Sequence, residues 1–185
     1  MTDNIDKYNK GNATVKNGAD DQKSDKTDNL ENNIEDNERK MVDVIIPTYR
    51  PAKEFGELLH RLEKQEYRPN RILVMNTGKE YWNSEWENYP LLEVHHLDQK
   101  DFDHGGTRKR AAELSTADIM VFMTQDALPA DRKMIGNLVR AVSRNSGTGA
   151  AYARQLPNAD CRFLERYTRS FNYPEQSSVK SLSDV

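Results

Sequence analysis

This chain of 185 residues lacks the features that mark disulfide-rich, membrane-spanning, secreted and nucleic-acid-binding proteins. It has one cysteine, Cys161, so no disulfide framework can form within it. It has no apolar run of membrane-spanning length and no secretion-signal h-region. Its formal net charge is only −3, which implies no general affinity for nucleic acid. We therefore expect a cytoplasmic protein that does not bind nucleic acid.

The first 40 residues lack the apolar periodicity of a folded segment. Residues 1–40 are dominated by Asn, Asp, Lys, Glu, Ser and Thr, and their apolar side chains are isolated. Such a segment cannot bury enough apolar surface to offset the entropy of ordering. We predict a disordered polar tail over residues 1–40, with a tether or partner-binding arm as its functional alternative, and one domain over residues 41–185.

From Met41 onward, short apolar and β-branched runs alternate with helical patterns, and the pattern fades beyond Pro157. Strands are predicted at residues 42–46, 72–75, 91–95, 119–123 and 149–153. Helices are predicted at residues 55–62, 105–114 and 134–142. This alternation is typical of βαβ units, so the sequence predicts an α/β fold with a mostly parallel sheet and flanking helices.

Polar side chains follow three of the predicted strands. They belong to Pro47–Arg50, Asn76–Thr77 and Thr124–Asp126. Each group alone is ordinary turn chemistry, because Asn, Asp, Thr and Pro are common where strands end. The carboxyl ends of parallel strands share one sheet edge, where open α/β sheets bind their ligands. Three such groups in register therefore favour a ligand crevice.

Two charged residues near this edge suit a phosphorylated ligand. Asp126 ends an apolar run, and its carboxylate can hold a cation such as Mg²⁺, which in turn holds a phosphate. The structural alternative is a helix N-cap, for which Asp131 is better placed. Arg108 can contact a phosphate or the face of a base, or it can be a solvated helix charge.

Other chemistry has weaker support. Asp101, Asp103 and His104 can bind metal or serve acid–base work, but a solvated loop fits them equally well. The pair Gly105–Gly106 lacks the spacing of a dinucleotide fingerprint or a P-loop. No nucleophile elbow occurs, and His95–His96 is interpreted as the end of a strand.

Together, these segments resemble the family 2 glycosyltransferases, which have the GT-A fold. Val42-Asp-Val-Ile-Ile-Pro-Thr-Tyr49 resembles the opening strand of that family, and His104-Gly-Gly-Thr-Arg-Lys109 resembles a segment that usually ends in Arg-Asn. Phe122-Met-Thr-Gln-Asp126 lies where the family carries its Asp-x-Asp motif. With Phe102–Gly105 and Arg154–Pro157 included, the set is most similar to the rhamnosyltransferase branch.

The resemblance implies a crevice that binds a nucleotide-sugar with Mg²⁺ or Mn²⁺. Asp126 matches the last Asp of Asp-x-Asp, which holds the cation on the diphosphate, and Asn76 lies where relatives usually have an Asp facing the base. The positions that match donor-binding residues are Pro47, Thr48, Tyr49, Asn76, Arg108, Thr124 and Gln125.

The chain also departs from the family pattern. Asn76 replaces an Asp and can donate as well as accept, Thr124 replaces the first Asp of Asp-x-Asp, and Lys109 replaces the usual Asn. Relatives continue into an acceptor-binding half that carries the catalytic Asp or Glu, the base of an inverting transfer. No match for it precedes Val185, so the catalytic residue is unknown and we expect the acceptor half to be missing.

The implied function is an inverting transfer of a sugar, with rhamnose as a candidate, from a nucleotide-sugar to a polysaccharide or glycolipid acceptor. The resemblance places it in the cytoplasm and leaves room for peripheral association with the inner face of the cell membrane. One alternative is a non-catalytic nucleotide-sugar-binding module, because the base is absent. Another is a nucleotidyltransferase, but Arg50-Pro-Ala-Lys53 lacks the glycine of its loop.

Overall fold

A computed structural model describes residues 39–157 and 161–184. The predicted tail therefore lies, apart from its last two residues, outside the described residues. The strands are β1 Val42–Tyr49, β2 Arg71–Thr77, β3 Leu92–Leu97 and β4 Ile119–Phe122. The α-helices are α1 Glu54–Glu63, α2 His104–Leu114, α3 Met134–Val142 and α4 Phe163–Asn172. Among the described residues, no helix combines the length and apolarity needed to cross a membrane.

The four strands form one parallel sheet in the order β3-β2-β1-β4, which confirms the predicted α/β class. The chain moves outward from β1 to β3 and then crosses back to place β4 on the other side of β1. This reversal makes the gap between the carboxyl ends of β1 and β4 a topological switch point. Right-handed crossovers also put α1, which precedes the reversal, and α2, which makes the crossing back, on opposite faces of the sheet.

Apolar side chains fill both faces of the sheet, as expected when helices cover both. On one face, Val44 and Ile46 of β1 pack in a cluster with Leu58 of α1 and Ile135 of α3. On the other face, Ile45 packs in a smaller cluster that includes Ala111 of α2. The alternation of strand side chains thus decides which polar residues at the carboxyl ends share a face.

Two parts of the chain differ from the prediction. Residues 149–153 are not a strand, and the side chain of Tyr152 is 70% exposed. The physical reason is weak β-propensity, because the segment consists mainly of glycine and alanine. In contrast, α4 forms where no period was recognised. Its apolar side chains Phe163 and Phe171 are exposed, so burial does not constrain where apolar residues occur in this segment.

A charged cluster ties the strands together at the amino edge of the sheet, away from the switch point. The buried Asp43 accepts hydrogen bonds from Arg71 Nη2 at 2.9 Å and from Ser115 Oγ at 2.7 Å. Arg71 also bonds Glu93 at 2.9 Å. These contacts, with the hydrogen bond to Asp43 the largest cause, raise the pKa of Arg71 further above its usual range.

We expect Asp43→Ala to lower the free energy of unfolding by about 3 kcal/mol, because the change leaves Arg71 and Ser115 without their buried acceptor. Urea denaturation measures this loss. Glu93→Ala is the matched control: it removes a more exposed partner of the same arginine and should cost clearly less. If both variants lost the same free energy of unfolding, burial of Asp43 would not be the reason for its contribution to stability.

Candidate functional site

The turn after β4 is joined directly to the end of β1. The backbone amide of Tyr49 donates to Gln125 Oε1 at 2.8 Å, and Gln125 Nε2 donates back to the Tyr49 carbonyl at 3.2 Å. A side-chain amide with one donor and one acceptor matches the two backbone groups of a strand. Two of the predicted donor-binding residues therefore meet at the switch point, with Thr124 and Asp126 as the neighbours of Gln125 in sequence.

The planar guanidinium of Arg50 lies beside the end of β1. Its backbone is left-handed, with φ of 47°, a conformation that costs a non-glycine residue about 1 kcal/mol. The guanidinium carbon lies 5.1 Å from the ring centre of Tyr49 and 4.5 Å from that of Tyr81. Such cation–π contacts offset the backbone cost. Tyr81 is held by Gly78, whose φ of 83° and close approach to the tyrosine ring both exclude a side chain.

A second set of polar contacts joins the ends of β1, β2 and β3. Thr48 Oγ1 donates to Asn76 Oδ1 at 2.9 Å, and Asn76 Nδ2 lies 3.0 Å from His96 Nδ1. Thr48 and Asn76 are buried, whereas His96 is half-buried against Trp82, with ring centres 5.8 Å apart. Burial lowers the pKa of His96, and the charge of Lys79 lowers it further, so the ring is neutral at pH 7.

Asp126 is exposed, and so is Thr124. In the described part of the chain, no group of three or more His, Cys, Asp and Glu side chains could hold a metal ion. A cation at Asp126 would thus take one carboxylate from the protein and its other ligands from a bound diphosphate and water. Mg²⁺ is commonly held in this way, so the donor set fits a cation bound jointly with its ligand.

Asp131 is not the N-cap of α3. Its Oδ1 accepts from Lys133 N at 2.8 Å in a local turn, and Lys133 occupies the cap position. The buried Gln65 instead accepts from Ile135 N at 3.0 Å and donates to the Asp131 carbonyl at 2.7 Å. A side chain distant in sequence thus satisfies the start of the helix, which local spacing could not indicate.

Helix α2 begins at the same edge of the sheet, because it follows the carboxyl end of β3. Asp103 is its N-cap and accepts from the Gly106 amide, so this carboxylate has a structural role. No metal-binding group forms from Asp101, Asp103 and His104, all of which lie within the described residues. Arg108 donates to the His104 carbonyl at 2.9 Å, a contact within its own helix.

The structure therefore brings some of the predicted residues into contact. Thr48 meets Asn76, and Tyr49 meets Gln125, while Pro47 directly precedes Thr48 in β1. No contact among the described residues joins Arg108 to either pair. Two further side chains at the site, Tyr81 and His96, were not predicted. His96 carried a usable signal, because it comes two residues after Val94 in β3 and residues at this spacing share a sheet face.

Comparison with known proteins is consistent with this architecture. Residues 43–183 match glycosyl transferase family 2. The chain is 36% identical over 151 residues to O-antigen chain rhamnosyltransferase RfbN of Salmonella typhimurium, covering 78% of this chain and 46% of that protein. It is 26% identical over 144 residues to O-antigen chain rhamnosyltransferase WbaN of Salmonella anatum, covering 77% and 45%.

Two solved structures are also similar. One is TarS residues 1–349 of S. aureus, with a TM-score of 0.48 and 17% identity over 64% of this chain and 40% of that one. The other is the mannosyltransferase PcManGT of Pyrobaculum calidifontis, solved in complex with GDP-Man and Mn²⁺. Its TM-score is 0.47, with 24% identity over 55% of this chain and 32% of that one.

The family match extends over most of the domain and includes β1, the Gln125 turn and α4. The chain therefore belongs to glycosyl transferase family 2. It spans about half the length of the curated relatives it matches.

We expect Gln125→Ala to expose the Tyr49 amide, because the Gln125 side chain accepts the hydrogen bond of this amide. One lost hydrogen bond of about 1 kcal/mol should speed hydrogen exchange at this amide roughly fivefold. Exchange followed by NMR on the full chain measures it. Gln99→Ala, which changes an exposed side chain after β3, is the control. Unchanged exchange at Tyr49 would show that the turn does not depend on Gln125.

Proposed function

We propose that this chain is the donor-binding part of a glycosyltransferase that uses a nucleotide-sugar. The observation that carries the proposal is the paired hydrogen bonding of Gln125 with Tyr49, which sets the Asp126 turn beside the end of β1 at the switch point. Open α/β sheets bind ligands at this place. Membership of the family supports sugar transfer as the reaction to which the site contributes.

The base and ribose of the donor would occupy the corner formed by β1 and β2. Tyr49 offers an exposed aromatic face, and Pro47 is half-buried beside it. Thr48 and Asn76 form a buried polar floor, since their side chains bond each other. Flat apolar surface with a few fixed polar groups is the usual composition of a nucleotide pocket.

The diphosphate would lie toward the turn after β4. Asp126 would hold Mg²⁺ or Mn²⁺, and such a cation supplies neutralisation of the negative charge that grows on the leaving diphosphate. Thr124 can donate a hydroxyl hydrogen bond, and Gln125 fixes the position of the turn. Arg108, on the first turns of α2, would approach a phosphate oxygen once it releases the His104 carbonyl.

We further propose that the sugar is rhamnose, because both curated relatives are named O-antigen chain rhamnosyltransferases. The acceptor would be a glycan or a lipid-linked glycan, with transfer by inversion in the cytoplasm at the inner face of the membrane. The catalytic base stays unassigned. For that reason the second candidate is a nucleotide-sugar-binding module without turnover.

We expect Asp126→Ala to weaken the binding of dTDP-rhamnose and UDP-glucose at least tenfold in the presence of Mn²⁺, or about 1.4 kcal/mol, because the cation loses its protein ligand. Without metal the affinity should change little. Isothermal titration of the full chain measures both. Asp118→Ala is the control, since Asp118 precedes the same strand at the opposite edge.

A folded wild-type chain that binds neither donor would contradict the proposal. A transfer assay with a glycan acceptor then separates the two candidates. Turnover that disappears in Asp126→Ala identifies an enzyme, whereas donor binding without turnover identifies a binding module.

A further inference from the structure

The amide of Asn76 can be oriented from its neighbours alone. Its nitrogen lies 3.4 Å from the Gly78 carbonyl and 3.0 Å from His96 Nδ1, and its oxygen accepts from Thr48 Oγ1. A carbonyl can only accept a hydrogen bond, so the atom facing Gly78 must be the NH₂ group. The opposite orientation would set two oxygens against each other.

This orientation fixes the hydrogen position on His96. Because Asn76 Nδ2 is a donor, His96 Nδ1 must be an acceptor and can carry no hydrogen. A neutral imidazole then holds its hydrogen on Nε2, the nitrogen on the far side of the ring from Asn76. The charged groups that act on the ring are Lys79 and Glu87, and burial together with Lys79 keeps it neutral.

The Nε2 hydrogen has no acceptor among the described residues, whereas every polar side-chain atom of Asn76 is occupied. Asn76 is also fully buried, and His96 is only half-buried. A ligand at this corner can therefore reach the histidine more readily than the asparagine.

We propose that His96 selects the nucleobase of the donor by donating its Nε2 hydrogen to a base carbonyl, with Asn76 as the positioning residue that fixes this tautomer. The inference rests on the proposed function and deepens it. The group that complements an N–H donor is the oxygen at C4 of uracil and thymine or at C6 of guanine. Cytosine and adenine carry an amino group there, which is itself a donor.

The bases can be compared in matched pairs. UDP and CDP share ribose and diphosphate and differ at C4, so titration of both at fixed Mn²⁺ isolates the group that faces His96. We expect the wild-type chain to prefer UDP at least tenfold, since two facing donors leave both unpaired. GDP against ADP, and dTDP as a second oxo base, extend the comparison. Equal affinities for UDP and CDP, or for GDP and ADP, would overturn the inference.

Three variants test the role of the residues. His96→Phe keeps a ring without a donor, and the preference should fall to within about twofold. His96→Gln supplies an amide that can either donate to UDP or accept from CDP, so the preference should again fall to within about twofold, and this variant serves as the test if the phenylalanine variant does not fold. His95→Phe is the control, because His95 lies on the opposite sheet face and pairs with Glu93. A preference that survives in His96→Phe would overturn the inference.

The tautomer is measured separately from binding. Long-range ¹H–¹⁵N NMR of the free full chain should show the His96 hydrogen on Nε2 in the wild type. In Asn76→Asp the carboxylate can only accept, so the spectrum should show a hydrogen on Nδ1. A wild-type hydrogen on Nδ1 would overturn the positioning role of Asn76. Failure to bind any nucleoside diphosphate would overturn the proposed function, whereas binding without base preference would overturn this inference alone.

Discussion

The paired hydrogen bonds between Gln125 and the backbone of Tyr49 are the constraint on which the site depends. Backbone register between β1 and β4 ends at the pair Ile45 and Phe122, so the last four residues of β1 have no strand partner on that side. The two chains separate there, as a switch point requires. The Gln125 side chain then replaces a strand and holds the carboxylate-bearing turn against the end of β1.

The two edges of the sheet use polar residues in different ways. At the amino edge, Asp43, Arg71 and Glu93 form charged contacts that join three adjacent strands. At the carboxyl edge, the neighbouring strands end in the neutral contacts of Thr48, Asn76 and His96. Neutral groups can change partners at lower cost than a buried ion pair can. The candidate site thus lies at the edge where the side-chain contacts can rearrange at the lower energetic cost.

Periodicity in the sequence predicted the sheet because burial and spacing agreed. Strands β1 and β2 and helices α1 and α3 present apolar side chains at the expected intervals, and these side chains are buried in the two clusters. The prediction failed at residues 149–153, where alanine and glycine gave an apolar run without β-propensity. It also failed at α4, whose apolar face is exposed.

The candidate site was predictable only in part. Strand ends in a parallel sheet converge, so the positions of Thr48, Asn76 and Gln125 follow from topology. The hydrogen-bond partner of each side chain does not follow from topology, since it depends on distances across the sheet. The hydrogen position on His96 is deduced from the contact with Asn76, and the Arg50 contact with Tyr81 occurs beside a left-handed backbone at Arg50. Neither has a pattern in the local sequence.

Family membership and the geometry of the carboxyl edge support one proposal, that a cation and a nucleoside diphosphate bind together at the switch point. The most direct measurement is paramagnetic broadening of amide NMR signals by Mn²⁺, recorded with and without UDP. The account predicts that signals of residues 47–50 and 124–127 broaden only when both are present. Broadening centred elsewhere, or unchanged by the nucleotide, would contradict it.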